Sequence, residues 1–295
     1  MKFLKSQPKV IVVGSCTIDQ MVTADRLPKP NEFVTARKSE YFFGGKGANQ
    51  AVGMSRLGAH VYFIGCVGMD PAGQQIMRNL VKENVNVGFV TETDQETTGS
   101  AFITKTDQDY SVVVIPAANQ CLTTQKIDAA DKYICESDML LVQLEISDEL
   151  LKHTVLKAKL HHKTVGLYAS PARKIDQIIL DQADFIIVRS NELPLLFEDE
   201  DLETIVKKFS NKLFVRDETN STVYHDGKEM KYQREENETM KYQIGMGDGF
   251  TCGFAYALAH GNQLEDCVHL GNRVSAEVSL KTGAQTGLPY LKDLL

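Results

Sequence analysis

The sequence has no apolar run long enough to cross a membrane. Its hydrophobic stretches are far shorter than the ~20 residues that a transmembrane helix needs. The chain begins with Met1, Lys2 and Phe3 and passes into a short strand-like run, without the long apolar segment of a signal peptide. We therefore expect a cytoplasmic protein that has no membrane partner.

Clusters of basic residues and metal-binding motifs are also missing. The net charge is −7, and no group of lysines and arginines offers the positive surface that nucleic-acid binding needs, so we expect no nucleic-acid partner. The six cysteines include no CxxC pair, and the seven histidines include no HxxxH or HExxH spacing. We therefore expect no structural zinc site and predict buried free thiols in a reducing compartment.

The order of apolar segments predicts an α/β fold with a mostly parallel central sheet flanked by helices. Short apolar runs typical of buried strands occur at 10–14, 61–65, 139–144, 164–167, 185–188 and 212–215. Helical patterns lie between them, most clearly at 46–57, 71–84 and 148–161. Because such alternation is typical of parallel sheets wrapped by helices, we interpret residues 1–295 as a single domain.

Two polar segments, at about 17–43 and 97–116, interrupt this alternation. The first contains a possible exposed strand at 33–36, and the second has the pattern of a β-hairpin. We expect the two segments to pair into a small β-sheet that projects from the core as a lid. A later hairpin is predicted at 222–232.

A glycine-rich turn with an acid, Gly245-Met246-Gly247-Asp248, precedes the first of two closing helices, which we predict at 249–260 and 264–281. The first N–H groups of a helix have no internal partner and carry partial positive charge. Glycines let a phosphate come close to them, and an acid at that place suggests a proton acceptor beside a transferred phosphate. Taken alone, the turn also fits an ordinary helix cap.

A second glycine cluster, GGKGANQA at 44–51, begins an earlier helix. It is not a P-loop, and no GxGxxG follows the first strand. A Gly-Gly turn lets a polar ligand approach the backbone, and Asn49 offers a donor and an acceptor to hydroxyl groups. By itself this cluster also fits a plain loop–helix junction.

Together the two clusters resemble the signatures of the ribokinase-like (PfkB) carbohydrate kinases. Residues 44–51, 57–59 and 65–73 resemble the first signature, and 245–250 resembles the second, GAGD with Phe two places after the Asp. Other landmarks of the family occur in the same order at 14–19, 143–145, 170–172, 191–192 and 283–285. The resemblance covers essentially the whole chain and implies the ribokinase-like fold.

The resemblance implies an ATP-dependent kinase that phosphorylates a primary hydroxyl of a neutral sugar, with ribose or a similar pentose as the expected substrate. In this family the acid of the second signature, here Asp248, accepts the proton of the attacking hydroxyl. The backbone N–H groups that would form the anion hole belong to Gly245, Met246 and Gly247. The implied sugar-binding residues are Asp19, Gly44, Gly45, Lys46, Asn49 and Glu145.

On the nucleotide side the resemblance implies Asn191, Arg216 and Gly283 as binding residues. Mg²⁺ would be held through ATP and water near Asn191, without a direct protein ligand. Lids of this family often pair between two subunits, so the resemblance also implies a homodimer through the lid.

Departures from the family pattern concentrate on this nucleotide side. Tyr242 and Gln243 stand where the family often has Asp-Thr, so activation by a monovalent cation is doubtful here. Pro194 occupies the position of the acid in the NxxE motif. The segment 216–221 replaces a loop with Thr and Gly, and its two acids would face the phosphates at an electrostatic cost.

Two alternatives therefore stay open. The first is a degenerate kinase homologue that binds sugar or nucleotide without turnover. The second is a kinase for another acceptor: a nucleoside, a ketose phosphate or 2-keto-3-deoxygluconate. An acceptor with its own phosphate would need further basic residues in the pocket, for which Arg37 and Lys38 on the predicted lid are the candidates.

Overall fold

The computed structural model describes residues 1–2, 7–107, 109–198, 200–217, 219–234 and 244–294. Its strands are β1 (Lys9–Val13), β2 (Thr17–Ala24), β3 (Ala36–Gly44), β4 (His60–Gly68), β5 (Val85–Thr93), β6 (Ser100–Lys105), β7 (Tyr110–Ile115), β8 (Met139–Gln143), β9 (Thr164–Tyr168), β10 (Phe185–Arg189), β11 (Leu213–Arg216), β12 (Ser221–His225) and β13 (Met230–Arg234). Its α-helices are α1 (Lys46–Leu57), α2 (Pro71–Lys82), α3 (Thr124–Ala129), α4 (Asp131–Glu136), α5 (Asp148–Leu160), α6 (Gln177–Gln182), α7 (Leu193–Leu196), α8 (Leu202–Lys208), α9 (Met246–Ala259), α10 (Leu264–Val278) and α11 (Leu291–Leu294). Short 3-10 helices cover Ala117–Cys121 and Ser190–Glu192.

Over the described residues, nine strands form a large sheet in the order β13-β12-β11-β10-β9-β8-β1-β4-β5. The strands from β11 through β5 pair in parallel, whereas β12 and β13 add an antiparallel hairpin at one edge. The predicted mostly parallel sheet is therefore confirmed. None of the described helices is both long enough and apolar enough to cross a bilayer.

The hydrophobic core lies on both faces of the large sheet. Successive side chains of a strand point to opposite faces, so Val10 and Val12 pack on the side of α1, α9 and α10. Ile11 and Val13 pack on the opposite side, with residues of α3 to α8. Burial on both faces explains why the central strands have nearly continuous apolar sequences.

The two polar segments form a separate four-stranded sheet among the described residues, in the order β3-β2-β6-β7. Strand β2 is antiparallel to β3 and parallel to β6. The strand predicted at 33–36 was wrong, because residues 33–35 are not in a strand and β3 begins at Ala36. Ala36 pairs with Ala24, the last residue of β2, so residues 33–35 have no β2 strand residue left to pair with.

Helix α9 begins three residues before its predicted start and ends at Ala259. Gly245, with φ of 84°, occupies the N-cap position in the left-handed region, which glycine adopts without strain. Gly247 and Gly249 lie within the helix, where close packing requires them: a Cβ would meet Tyr168 at the first and Val278 at the second. Asp248 is therefore in the first turn of α9 and not ahead of it.

Candidate active site

A cavity of about 500 Å³ opens at the carboxyl ends of the parallel strands. Tyr168, Arg189 and Arg216, the last residues of β9, β10 and β11, line one wall. The small sheet covers the cavity with one of its faces. Side chains of that face that line the cavity include Asp19, Ala101, Ile103, Val112 and Val114. Ligands in open α/β sheets bind at this end of the strands.

Asp248 lies buried in this cavity, and two side-chain amides bind its carboxylate. Asn49 Nδ2 donates to Oδ2 at 2.8 Å, and Gln50 Nε2 donates to Oδ1 at 3.2 Å. Burial raises the pKa of Asp248 to about 6, although Lys46 and the two amides favour the charged form. A carboxylate with this pKa is suited to accept a proton near neutral pH.

The amides that bind Asp248 are themselves fixed by other amides. Gln143 Nε2 donates to Gln50 Oε1 at 2.6 Å, and Gln285 Nε2 donates to Asn49 Oδ1 at 3.1 Å. Asn79 Nδ2 in turn donates to Gln285 Oε1 at 2.9 Å. These bonds orient the donors toward Asp248, so the position of its carboxylate is determined by residues on several elements.

The N-terminal end of α9 faces the same cavity. The first helical bond runs from Gly249 N to Gly245 O at 2.9 Å, and among the described residues no side chain caps the helix. The N–H groups of Met246, Gly247 and Asp248 precede that bond and have no partner within the helix. The Tyr168 hydroxyl lies so close to Gly247 that a Cβ there would overlap it. The residues present therefore fit a phosphate group at this turn.

Asp19 faces the cavity from strand β2. Thr17 Oγ1 donates to Asp19 Oδ1 at 2.6 Å, and a Cβ on Gly44 would overlap the Asp19 carboxylate. Burial raises the pKa of Asp19 to about 6; Thr17 and Lys46 oppose the rise, and the charge of Glu145 adds to it. Gly44 does not line the cavity, and its contribution is the space that it leaves for Asp19.

Lys46 and Glu145 form an ion pair beside Asp19. Lys46 Nζ lies 3.6 Å from Glu145 Oε1, and the Lys46 backbone N–H donates to Oε2 at 3.1 Å. The Ser15 hydroxyl also donates to Glu145 Oε2. Burial lowers the pKa of Lys46, but the charges of Glu145, Tyr168 and Asp248 outweigh it, so the pKa is raised and the ammonium stays charged. With Gly45 and Asn49, this pair completes a polar end of the cavity.

Arg216 lines the cavity but is engaged by the protein. Its guanidinium lies 4.5 Å from the centre of the Phe250 ring, and Nη2 donates to Ser275 Oγ at 2.8 Å and to Asn220. Burial lowers the pKa of Arg216 to about 10. The predicted contact of Arg216 with phosphate stays a prediction, and the geometry gives this arginine little freedom to move.

Among the other residues predicted on the nucleotide side, Asn191 is exposed at the cavity wall. Gly283, with φ of 90°, does not line the cavity and packs against Phe42. Asp217 does line it, but its Oδ1 accepts from Thr219 N at 2.8 Å within its own loop. Glu218, Tyr242 and Gln243 are outside the described residues.

Residues 7–291 match the family model described as pfkB family carbohydrate kinase. The chain belongs to this family. It is 32% identical to the ribokinase of Bacillus subtilis (strain 168) over 286 residues, which are 97% of each chain. It is 34% identical to the ribokinase of Lactococcus lactis subsp. lactis over 288 residues, 97% of this chain and 95% of the relative.

Solved structures give the same fold. Ribokinase from Thermotoga maritima superposes with a TM-score of 0.86 at 26% identity, over 98% of both chains. Ribokinase of Arabidopsis thaliana, solved in complex with ribose and ATP, superposes with a TM-score of 0.84 at 24% identity, again over 98% of both chains. The predicted family and fold are thus confirmed, and the chain is a ribokinase-type sugar kinase, a phosphotransferase with an alcohol group as acceptor.

Several residues in or behind the cavity of this pfkB kinase were missed by the sequence analysis. Glu192 is buried and accepts from Arg189 Nε at 2.8 Å and from Ser170 Oγ at 3.1 Å. Tyr168 and Arg189 each end a parallel strand, which is the signal that could have identified them. Gln50 follows Asn49 in the first signature, but its bond to Asp248 depends on the packing of α1 against α9.

Proposed function

We propose that this kinase transfers the γ-phosphate of ATP to a primary hydroxyl of a neutral sugar, ribose or a similar pentose. One observation carries the proposal. The buried Asp248 carboxylate and the open N-terminal end of α9 share a single cavity with a polar set of hydroxyl-binding groups, Asp19, Asn49 and Glu145. Acids and amides of this kind bind vicinal hydroxyls, and relatives of this chain are named ribokinases.

In the proposed reaction the sugar hydroxyl oxygen bonds to the γ-phosphorus while the bond to the ADP oxygen breaks. Asp248 accepts the hydroxyl proton, and the N–H groups of Met246 and Gly247 stabilise the charge on the phosphoryl oxygens. Mg²⁺ would be held through the nucleotide and water near Asn191. The metal, when bound, neutralises part of the phosphate charge.

A neutral acceptor is favoured by the position of the lid cations. Arg37 pairs with Asp25, and Lys38 Nζ lies 2.7 Å from Glu40 Oε1. Neither basic residue lines the cavity. A phosphate on the sugar would therefore not meet the two cations that the sequence suggested for it.

The direct test is an assay of ADP release with ATP, Mg²⁺ and a panel of acceptors, with and without K⁺. The panel contains ribose and other pentoses, nucleosides, a ketose phosphate and 2-keto-3-deoxygluconate. Turnover of a neutral pentose well above that of an Asp248→Ala variant supports the proposal. Binding without turnover for every acceptor would favour the degenerate homologue, and preference for another acceptor would reassign the substrate.

The activity should depend on pH through Asp248. Since a general base acts as the carboxylate, kcat/KM should fall as the pH drops below about 6, the pKa of this buried group. It should be level above that pH. Asp19 has a similar pKa, so the profile is also measured in Asp19→Asn, which should retain the acid limb if Asp248 is responsible. A flat profile from pH 5 to 8 would contradict the assignment.

Replacing Gln50 by Leu should shift this acid limb to higher pH. The variant loses the amide that donates to Asp248 Oδ1 at 3.2 Å, and a hydrogen bond to a carboxylate favours its charged form. The measurement is the pH profile of kcat/KM for the sugar. Gln74→Leu, at an exposed position of α2, is the control and should leave the profile unchanged. A limb at the wild-type pH in Gln50→Leu would remove Gln50 from the role.

The small sheet is also the proposed dimer interface. Its outer face carries a cross-strand row in which Tyr41, Phe102 and Val113 lie side by side with Gln20. These apolar side chains are 70%, 46% and 64% exposed, and contiguous apolar surface of this kind is typical of protein contacts. A second copy of the chain would cover it.

A charge in the middle of that face should separate the dimer. Val113→Lys is expected to convert a dimeric protein to a monomer, because burial of an unpaired ammonium is costly. Size-exclusion chromatography with light scattering measures the change. Leu160→Lys, at an apolar position of α5 that is 71% exposed, serves as the control. A monomeric wild-type protein, or a Val113→Lys variant that stays dimeric, would count against this interface.

A further inference from the structure

Two arginines end neighbouring strands at the cavity wall. Arg189 of β10 pairs in register with Arg216 of β11, so both side chains start from the same edge of the sheet. Arg216 is only 4% exposed and is held by Phe250 and Ser275. The side chain of Arg189 is 42% exposed. Arg216, which the sequence analysis assigned to phosphate binding, is thus fixed by the protein, whereas Arg189 is accessible.

Arg189 is anchored through Nε, which leaves its two terminal nitrogens available for a ligand. Its Nε donates to Glu192 Oε2 at 2.8 Å, and within the described part of the chain no other hydrogen bond of this side chain is present. Glu192 is itself bound by Ser170 Oγ at 3.1 Å and Ala172 N at 3.1 Å. The two terminal nitrogens therefore stay open to a ligand, while Nε fixes the plane of the guanidinium.

Acidic side chains near Arg189 would repel a nucleotide unless a cation offsets their charge. Asp217 and Glu192 line the same wall and would repel a triphosphate. Lys46 has a single side-chain nitrogen, which is paired with Glu145 at 3.6 Å, whereas Arg189 is paired through Nε and keeps two further nitrogens. Arg216 also has an unpartnered nitrogen, Nε, but that atom is buried. Among the described residues of this wall, Arg189 is therefore the accessible arginine whose terminal nitrogens could meet an anion.

Tyr168 connects Arg189 to the start of α9. The Tyr168 hydroxyl lies against Gly247, and Tyr168 lines the same cavity as Arg189. The open nitrogens of Arg189 and the N–H groups at the start of α9 thus border the same space. A phosphate chain that occupies it can bind both at once.

We infer that Arg189 binds the terminal phosphates of the nucleotide through its two terminal nitrogens. It makes the phosphate contact that the sequence analysis assigned to Arg216. The inference rests on the proposed function. A planar guanidinium fixed at one nitrogen matches two phosphoryl oxygens in a bidentate arrangement. It also offsets the negative loop at 216–221.

Equilibrium binding to three nucleotides tests this role without turnover. The probes are AMP-PNP, ADP and AMP, each with Mg²⁺, titrated calorimetrically into wild type and Arg189→Gln. We expect Arg189→Gln to weaken AMP-PNP binding about tenfold or more, since hydrogen bonds to charged groups are among the stronger ones, and to leave AMP nearly unchanged. Arg78→Gln, which removes an exposed charge of α2 outside the cavity, should bind all three as wild type does.

Further variants separate binding from damage to the fold. Arg189→Gln/Glu192→Gln avoids leaving a buried acid unpaired and should show the same selective loss, and Arg189→Lys should recover part of it. If wild type and the Arg189 variants bound AMP-PNP equally well, the inference about Arg189 would be overturned, but the proposed function would not. Wild type that does not bind AMP-PNP would overturn the proposed function and this assignment together. A loss of affinity for AMP as large as that for AMP-PNP would overturn the assignment to the terminal phosphates.

Discussion

Asp248→Asn is expected to lower kcat about 1000-fold, within the range that a positioned general base contributes. The asparagine has nearly the size of the aspartate and lies at the same buried place in the first turn of α9, but it cannot accept the proton. Only one of the two amides, Asn49 or Gln50, can still donate to the new side chain, because an NH2 group replaces one acceptor oxygen. The other residues that would hold sugar and nucleotide are unchanged, so the dissociation constants should change by less than about threefold. Steady-state kinetics and calorimetry measure the two quantities.

Asp266→Asn is the matched control, because it changes the acid in the first turn of α10, outside the cavity. It should retain wild-type kcat. A value of kcat in Asp248→Asn within tenfold of wild type would remove Asp248 from the role of base. Equal losses of kcat and of both affinities would show that the substitution had disturbed the fold.

Asp19→Ala is expected to raise KM for the sugar about 100-fold, with a smaller change in KM for ATP. A site built to hydrogen-bond hydroxyl groups discriminates strongly when one partner is missing. Gly44→Ala should change KM in the same direction, because its Cβ would overlap the Asp19 carboxylate and displace it. The measurement is the sugar and ATP dependence of the initial rate for each variant.

Asp25→Ala provides the control, since Asp25 lies just beyond the far end of β2 and pairs with Arg37 outside the cavity. Its KM for the sugar should equal that of wild type. If Asp19→Ala raised both KM values equally, Asp19 would be a structural residue and not a sugar ligand. If Gly44→Ala left the sugar KM unchanged, the close approach of Gly44 to Asp19 would not be needed for sugar binding.

The fold was largely predictable because its periodic and glycine signals are local. The predicted bounds of α1, 46–57, are those of the structure. Gly45 precedes the helix, and Gly58 ends it in the left-handed region with φ of 107°. Both ends are therefore determined by residues next to them in the sequence. The start of α9 was misplaced because Gly247 and Gly249 have the sequence pattern of a turn, although Tyr168 and Val278 require them inside a helix.

The site was only partly predictable, because the signatures identify residues near the glycine turns and not those that other elements bring to them. Arg189 and Glu192 lie at the end of β10, and only the order of strands in the sheet places them beside α9. Arg216 is the opposite case. Its position beside the cavity was foreseen, but the contacts with Phe250 and Ser275 depend on how α9 and α10 pack.

The position of Asp19 ties the small sheet to the sugar site thermodynamically. Asp19 is the third residue of β2 and pairs with Phe42 of β3 and Ala101 of β6, so a displacement of that sheet moves a proposed sugar ligand. If the outer face of the same sheet joins two copies of the chain, sugar affinity and dimer affinity become linked. Linkage is reciprocal: whatever factor the sugar adds to dimerisation, dimerisation adds to sugar binding.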